Sequence, residues 1–142
     1  MKIGLISDTH SYFDDRIKEH FKDRDEIWHA GDFGDYQVIR ELKAIAPVVG
    51  VFGNIDGRDI RQEFPEDNRF ERESMDIWMT HIGGYPGKYD KRIKDEIRQN
   101  PPDIFICGHS HILKVMRDKK LNLLHINPGA AGKTGFHKQR TI

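Results

Sequence analysis

The sequence predicts an α/β fold in which two sheets face each other as a sandwich and helices flank it. Five short apolar runs are continuous rather than alternating, which is typical of strands that are covered on both faces. Helical segments separate the first three runs, whereas the later part of the chain carries adjacent strands and a hairpin. The five runs span residues 3–6, 27–28, 48–52, 77–79 and 104–107.

The N-terminal part predicts the order strand–helix–strand–helix–strand. A helix is expected over residues 13–22, whose apolar side chains share one face, and another over residues 36–46, which Pro47 would stop. Asp35 is a suitable N-cap for the second helix. This alternation predicts parallel strands that are joined by right-handed crossovers.

The C-terminal part predicts a second set of strands. Its expected elements are strands over 69–74 and 76–80, a helix over 90–100, a strand over 103–107 and a hairpin of 113–117 with 121–126. We expect residues 1–142 to form a single domain. Thr141 and Ile142 resemble the beginning of another strand, so we expect a shortened chain that lacks further C-terminal strands.

The composition excludes some partners and compartments. The 23 basic and 23 acidic residues cancel, so net charge favours neither nucleic acid nor an anionic membrane as a partner. A single cysteine, Cys107, lies in an apolar run and is expected to be buried rather than catalytic. The apolar run after Met1 is too short for a signal peptide, and a cytoplasmic protein is therefore expected.

Residues that bind metals well follow each of the five apolar runs. From an extended strand end, Asp8 and His10 would point the same way, so both could bind one ion. Each motif alone has an alternative interpretation: a helix cap for Asp8 and His10, a turn for Asp32 and Asn54, and a capping or core residue for His81. The paired His109 and His111 favour a metal site even alone. Because ligands of α/β proteins bind at the carboxyl ends of strands, the combination predicts a dinuclear metal hydrolase. The candidate ligands are Asp8, His10, Asp32, Asn54, His81, His109 and His111.

These residues, in this order, resemble the calcineurin-like metallophosphoesterase superfamily, and within it the small single-domain phosphodiesterases. The resemblance rests on five motifs and extends to the loop at 127–129. It implies that Asp8, His10 and His111 hold a first metal, that Asn54, His81 and His109 hold a second, and that Asp32 bridges both. The motifs are Asp-x-His (8–10), Gly-Asp (31–32), Gly-Asn-x-Asp (53–56), the strand-end His81 and Gly-His-x-His (108–111).

The expected reaction is hydrolysis of a small phosphate ester, most readily a phosphodiester, by a hydroxide shared between two divalent cations. Mn is the favoured metal, and Fe, Zn, Co or Ni also suit these ligands. Many family members have a His that assists the leaving group, but this chain has Ile55 there, so no catalytic acid is assigned. Asp56, beside it, is expected to hold the Asn54 loop by hydrogen bonds.

The resemblance also leaves a second reading open, because the superfamily includes a retromer subunit that serves mainly as an interaction scaffold. Family members often associate, so a homo-oligomer is compatible with the resemblance, although nothing in the sequence marks an interface. Among the remaining histidines, His29 is expected near Asp32 or in the core, His125 on a strand, and His20 and His137 on the surface. Residues 85–89 are expected to form an aromatic loop that could cover the site.

Overall fold

The computed structural model describes residues 1–142, and the first part of the chain alternates strands and helices as predicted. The elements are β1 (Ile3–Ile6), α1 (Asp15–Phe21), β2 (Glu26–His29), α2 (Tyr36–Lys43) and β3 (Val48–Gly50). The strands form a parallel sheet in the order β1-β2-β3. Ile6 is level with His29, which is level with Gly50. Because the strands end together, the residues that follow them emerge at one edge of the sheet.

The second helix illustrates how local residues set the element boundaries. Asp35 caps α2 as predicted, and its carboxylate accepts a hydrogen bond of 2.9 Å from the backbone N–H of Gln37. The helix ends at Lys43, three residues before the predicted end. The chain tightens there, because the N–H of Ile45 donates to the carbonyl of Leu42 rather than one residue further back.

The second part of the chain forms a mixed sheet of five strands. Its elements are α3 (Arg58–Glu63), β4 (Asp67–Arg72), β5 (Met75–Thr80), β6 (Gly84–Tyr85), β7 (Lys88–Tyr89), α4 (Lys94–Gln99), β8 (Ile104–Ile106), β9 (Leu113–Asp118) and β10 (Leu123–Pro128). The strand order is β4-β5-β8-β10-β9. The three inner strands are parallel, and the two outer strands are antiparallel to their neighbours. The predicted strand pair and hairpin are thus confirmed, with ends shifted by one or two residues.

Two features of this part were not predicted. Helix α3 buries only Ile60, so its six residues carry no apolar periodicity that could reveal a helix. Strands β6 and β7 form a hairpin where an aromatic loop was expected, and Gly87 in its turn adopts a φ of 86°. Helix α4 begins at Lys94, four residues later than the predicted start.

Three apolar clusters define the layers of the fold. One packs α1 and α2 against the first sheet, a second lies between the two sheets and contains Trp28 and Met79, and a third packs α4 against the outer face of the second sheet. Cys107 belongs to the third cluster and is buried, as expected. The layers confirm the predicted two-sheet sandwich flanked by helices. The longest helix has eight residues, and no helix is both long and apolar enough to cross a membrane.

Candidate metal centre

Side chains from loops of both sheets meet in one pocket. The loops follow β1, β2, β3, β5 and β8, and they supply two groups of potential metal ligands. Within each group, the ligand atoms all lie within 4.8 Å of one another. We call Asp8, His10 and His111 the first cluster, and Asp32, His81 and His109 the second cluster. Asn54, the seventh residue predicted from the sequence, joins the second cluster, because its Oδ1 lies 3.1 Å from Nε2 of His81 and 3.0 Å from Nδ1 of His109. The structure thus brings all seven residues together.

The two clusters adjoin at Asp32. Its Oδ2 lies 3.3 Å from Nε2 of His10 and 3.2 Å from Nε2 of His81, so a single carboxylate oxygen faces one imidazole of each cluster. In the first cluster, Oδ1 of Asp8 lies 3.1 Å from Nε2 of His111. Asp32 therefore lies between the two clusters, at the position where the family resemblance implies a bridging ligand.

Two polar atoms of the first cluster form no hydrogen bond within the protein. Oδ1 of Asp8 and Nε2 of His10 are buried, 3.7 Å apart, and neither meets hydrogen-bond criteria with any other group. Buried polar atoms in folded proteins are almost always paired, so such atoms call for a missing partner. Carboxylate oxygens and imidazole nitrogens are suitable ligands for first-row divalent cations, and the residues therefore fit the metal ions that the fold implies.

The backbone of the pocket is unusual, because five of the seven residues adopt positive φ angles. The values are 51° for Asp8, 45° for His10, 59° for Asp32, 68° for His109 and 60° for His111. Left-handed conformations cost roughly 1–2 kcal/mol for non-glycine residues and concentrate at functional sites. The sequence-based argument that Asp8 and His10 point the same way from an extended strand end is wrong. They converge instead because the chain turns sharply after β1.

Backbone groups of the core hold the second cluster in place. Nδ1 of His81 donates to the carbonyl oxygen of Ala30 at 2.7 Å, and in the neutral ring this leaves Nε2 with a free lone pair that faces the pocket. Oδ1 of Asp32 accepts a hydrogen bond of 3.0 Å from the N–H of Ile55. A Cβ at Gly53 would overlap this carboxylate, so glycine is required for the close approach of the two loops.

The first cluster has a different kind of support. Oδ2 of Asp8 accepts hydrogen bonds from Oγ of Ser7 at 2.6 Å and from the N–H of His109 at 3.1 Å. Nδ1 of His111 lies 3.0 Å from Nδ1 of His137, a residue that the sequence analysis placed on the surface. His137 is instead half-buried against the pocket, and no recognised motif marked it.

Two side chains next to the pocket hold its loops. Asp56, expected to act by hydrogen bonds, accepts from the N–H of Gly34 at 2.9 Å and from the N–H of Gly53 at 2.8 Å. In the loop at 127–129, Nδ2 of Asn127 donates to the carbonyl of Gly108 at 2.9 Å. These contacts fix the turns that present Asn54 and the paired histidines.

The buried polar groups hold both carboxyls of the pocket in their charged form. Burial alone would raise the pKa of Asp8 and of Asp32, but hydrogen bonds and positive charge from neighbouring imidazoles outweigh it. The neighbouring imidazoles with the largest effect are His10 for Asp8 and His81 for Asp32, and both pKa values lie below their usual range. Burial lowers the pKa of His111, which favours its neutral, metal-binding form.

His29 and His125 are buried outside the two clusters. Nε2 of His29 lies 3.0 Å from Oγ1 of Thr9, and burial lowers the pKa of His29 to about 3. His125 lies on β10, as expected, and burial lowers its pKa to about 4. Both imidazoles are therefore neutral parts of the scaffold at neutral pH.

A groove passes the second cluster. One cavity of about 340 Å³ is lined by Asn54, His81 and Arg61, and a second of about 440 Å³ lies beside His109 and Tyr85. The two cavities share Ile82 and Asp90 in their walls, so they form neighbouring parts of one depression.

Comparisons with known proteins agree with this geometry. The family model described as the calcineurin-like phosphoesterase superfamily domain matches residues 1–142. A probable metallophosphoesterase of Methanothermobacter thermautotrophicus is 33% identical over 137 residues, which cover 92% of this chain and 77% of the relative. A phosphodiesterase of Methanocaldococcus jannaschii is 30% identical over 145 residues, which cover 91% of this chain and 83% of the relative.

Solved structures with the same fold include an enzyme and a protein named for vacuolar sorting. An archaeal phosphodiesterase has a TM-score of 0.75 at 28% identity, with 92% of this chain and 85% of that chain covered. A single mutant of Vps29 from Entamoeba histolytica has a TM-score of 0.76 at 20% identity, with 96% and 78% covered. Wild-type Vps29 of the same organism, complexed with Zn²⁺, has a TM-score of 0.74 at 21% identity, with 92% and 75% covered. The likeness to Vps29 shows a shared fold alone.

Proposed function

This chain belongs to the calcineurin-like phosphoesterase superfamily, and from that membership we propose that it is a phosphodiesterase dependent on two divalent cations. The observation that carries the proposal is the convergence of two ligand clusters on Asp32. In the same pocket, Oδ1 of Asp8 and Nε2 of His10 are buried and form no hydrogen bond within the protein. A purely structural polar network would pair these atoms.

We assign one cation to each cluster. Asp8, His10 and His111 would hold the first, and His81, His109 and Asn54 would hold the second. Asp32 would bridge them, because its Oδ2 lies close to an imidazole of each cluster. The neutral amide of Asn54 limits the negative charge at the second position. Manganese is our first choice of metal, although the ligand set also suits iron, zinc, cobalt or nickel.

When bound, such a pair of cations supplies a hydroxide nucleophile at neutral pH and stabilises the charge that develops on phosphoryl oxygens. The protein contributes a pocket whose ligands already converge. Asp8 and Asp32 remain ionised at neutral pH, since their pKa values are held below the usual range. The left-handed backbone conformations at five of the ligands fix the directions of those side chains.

The leaving group receives no obvious proton donor from the chain. Ile55 occupies the position beside Asn54, is 46% exposed, and cannot donate a proton. Esters whose leaving groups depart without protonation should therefore react fastest. Aryl phosphodiesters meet this requirement, whereas alkyl phosphates do not.

The groove indicates a substrate larger than a phosphate ion. One part is lined by Asn54 and His81 and the other by His109, so each arm of a diester could occupy one part. Arg61 lines one part and hydrogen bonds only to backbone carbonyls, so its charge has no acidic partner. We propose a small phosphodiester as substrate.

A catalytically weak scaffold is the second candidate, and the shared fold with Vps29 favours it. Metal binding alone does not separate the two candidates, because a solved Vps29 structure is a complex with Zn²⁺. Turnover does separate them.

The test is a panel of esters assayed with protein that has been stripped by a chelator and reloaded with one metal at a time. We expect hydrolysis of bis(p-nitrophenyl) phosphate to require added metal and to exceed hydrolysis of an alkyl phosphate by about 100-fold or more. A loaded protein that turns over no ester would support the scaffold. Equal rates on aryl and alkyl esters would contradict the inference from Ile55.

The variant Asp32→Asn distinguishes the proposed site from a contaminating activity. It should lose more than the roughly 10–100-fold typical of residues that only support a ligand. Asp23→Asn, at an exposed position, is the matched control and should behave as the wild type. An active Asp32→Asn protein would place the chemistry elsewhere.

A further inference from the structure

We propose that His137 is a positioning residue for the first cluster: it accepts a hydrogen bond from Nδ1 of His111 and so directs Nε2 of His111 to the metal. The inference rests on the proposed metal-dependent function and extends it to a residue outside the seven candidate ligands. It is carried by the donor and acceptor chemistry of three groups in contact.

The first step concerns the far side of the His137 ring. Nε2 of His137 lies 2.8 Å from the carbonyl oxygen of Gly132. A carbonyl oxygen can only accept, so the proton must reside on Nε2 of His137. In the neutral ring, Nδ1 of His137 is then an acceptor.

The second step concerns the contact between the two rings. Nδ1 of His137 lies 3.0 Å from Nδ1 of His111, with the rings inclined at 70°. Since Nδ1 of His137 accepts, Nδ1 of His111 must donate. A neutral His111 then carries its free lone pair on Nε2, the atom that lies 3.1 Å from Oδ1 of Asp8 inside the pocket.

The segment that carries His137 is held against the pocket independently of this contact. The N–H of Gly132 donates to the carbonyl of Asp8 at 2.9 Å. Arg140 donates from Nε to the carbonyl of Ala131 at 2.5 Å and pairs with Asp14 at 3.0 Å. A substitution at His137 therefore removes only the contacts of its own ring, to His111 and to the carbonyl of Gly132, while the backbone around it keeps these anchors.

The backbone beside the two rings leaves room for them. Gly135 has a φ of 141°, and a Cβ at this position would overlap Nδ1 of His111 and lie 2.9 Å from Nδ1 of His137. Any other residue would displace one ring. The close passage of a glycine at this point agrees with a segment shaped around the His111–His137 pair.

The experiment compares three variants of the full chain by calorimetric titration with Mn²⁺. His137→Phe keeps an aromatic ring but has no hydrogen-bond acceptor. His137→Asn keeps an acceptor, because its amide oxygen can replace Nδ1 of His137. His20→Asn, at an exposed position in α1, is the matched control. We expect His137→Phe to weaken one of two metal sites by about 10–100-fold, and His137→Asn to restore most of that affinity.

A spectroscopic measurement adds a readout that a loss of packing would not imitate. Ring ¹⁵N shifts in the diamagnetic Zn²⁺-loaded protein should show His111 protonated at Nδ1 and His137 protonated at Nε2. Nε2 protonation of His111 in this state would overturn the inference.

The outcomes separate this inference from the proposed function. Two sites of wild-type affinity in His137→Phe, or equal losses in the Phe and Asn variants, would overturn the role of His137 and leave the metal centre standing. A wild-type protein that binds no Mn²⁺ would overturn the proposed function and this inference together.

Discussion

The two clusters of the candidate metal centre are built in different ways. The second cluster is held by the core: His81 donates to the carbonyl of Ala30, and Asp32 accepts from the backbone of Ile55. The first cluster depends partly on residues 129–142, because the outer nitrogen of His111 meets His137 rather than a core carbonyl. Similar ligand sets can therefore differ in how much of the fold they need.

From this difference we expect substitutions in different parts of the chain to affect different clusters. Changes in the sheets should affect both clusters, because all of the ligand loops begin at strand ends. Changes in residues 129–142 should affect the first cluster and leave the second intact. The following predictions test that division, from the largest expected effect to the smallest.

The largest effect is expected from Gly53→Ala, since the new Cβ would overlap the carboxylate and the backbone nitrogen of Asp32. Asp32 adjoins both clusters, so we expect loss of both metals and a fall in phosphodiesterase activity of well over 100-fold. Gly57→Ala is the matched control in the same loop, because its Cβ would approach nothing closer than 3.5 Å. Loss at only one metal position in Gly53→Ala would show that Asp32 does not link the clusters.

Acid should destabilise the five-stranded sheet. His125 is 1% exposed on β10, and burial lowers its pKa from 6.5 to about 4. The unfolded chain therefore binds the proton more readily, so stability is complete above pH 6.5 and falls as pH decreases toward 4. The loss from this residue should reach up to about 3 kcal/mol of the free energy of unfolding.

Urea unfolding of the metal-free protein between pH 7.5 and 4.5 measures this loss. His125→Leu should flatten the decrease, whereas His20→Leu at an exposed position should leave it unchanged. An identical pH dependence in His125→Leu and wild type would assign the acid sensitivity to other groups, of which the buried His29 is the next to test.

A moderate and one-sided effect is expected from Arg140→Met. The substitution keeps the aliphatic stem but removes the bonds to Ala131 and Asp14 that hold residues 129–142 against the pocket. We expect Mn²⁺ affinity to fall about 10-fold at one site and to stay unchanged at the other. Arg98→Met, exposed on α4, is the control, and equal weakening of both sites would break the proposed division.

The smallest effect is expected in the groove beside the second cluster. Tyr85 is 42% exposed, and Nζ of Lys114 lies 4.2 Å from the centre of its ring. If the ring stacks on an aryl arm of the substrate, Tyr85→Leu should raise KM about 3- to 10-fold at constant kcat. Tyr85→Phe should preserve KM, and an unchanged KM in Tyr85→Leu would remove this residue from substrate binding.

The sequence was informative where the pattern was long or the chemistry distinctive. The apolar runs, together with the adjacent strand at 69–74 and the hairpin of 113–117 with 121–126, predicted every strand of the two sheets, and the capping role of Asp35 was predicted from residue type alone. The sequence did not predict α3 or the β6–β7 hairpin. Helix α3 has six residues and each of the two strands has two, which is too short for a detectable apolar periodicity.

For the candidate site, too, the sequence predicted some features and not others. The seven residues were identified from type and position, since strand ends of a sheet collect ligands at one edge. Their convergence was nevertheless attributed to extended backbone, whereas the structure uses left-handed turns at five of them. Asp and His adopt left-handed conformations more readily than most residues, but no sequence pattern predicted these conformations here.

Residue types along the chain therefore determined the strands, the layers and the identity of the candidate ligands, because apolar burial and ligand chemistry are local properties. The family resemblance implied how the ligands are grouped, but only the tertiary structure gave the distances within each cluster and around Asp32, and only it placed His137 in contact with His111. These features depend on distances between segments far apart in the chain. Such distances arise only when the sheets pack and the residues after β10 return to the pocket.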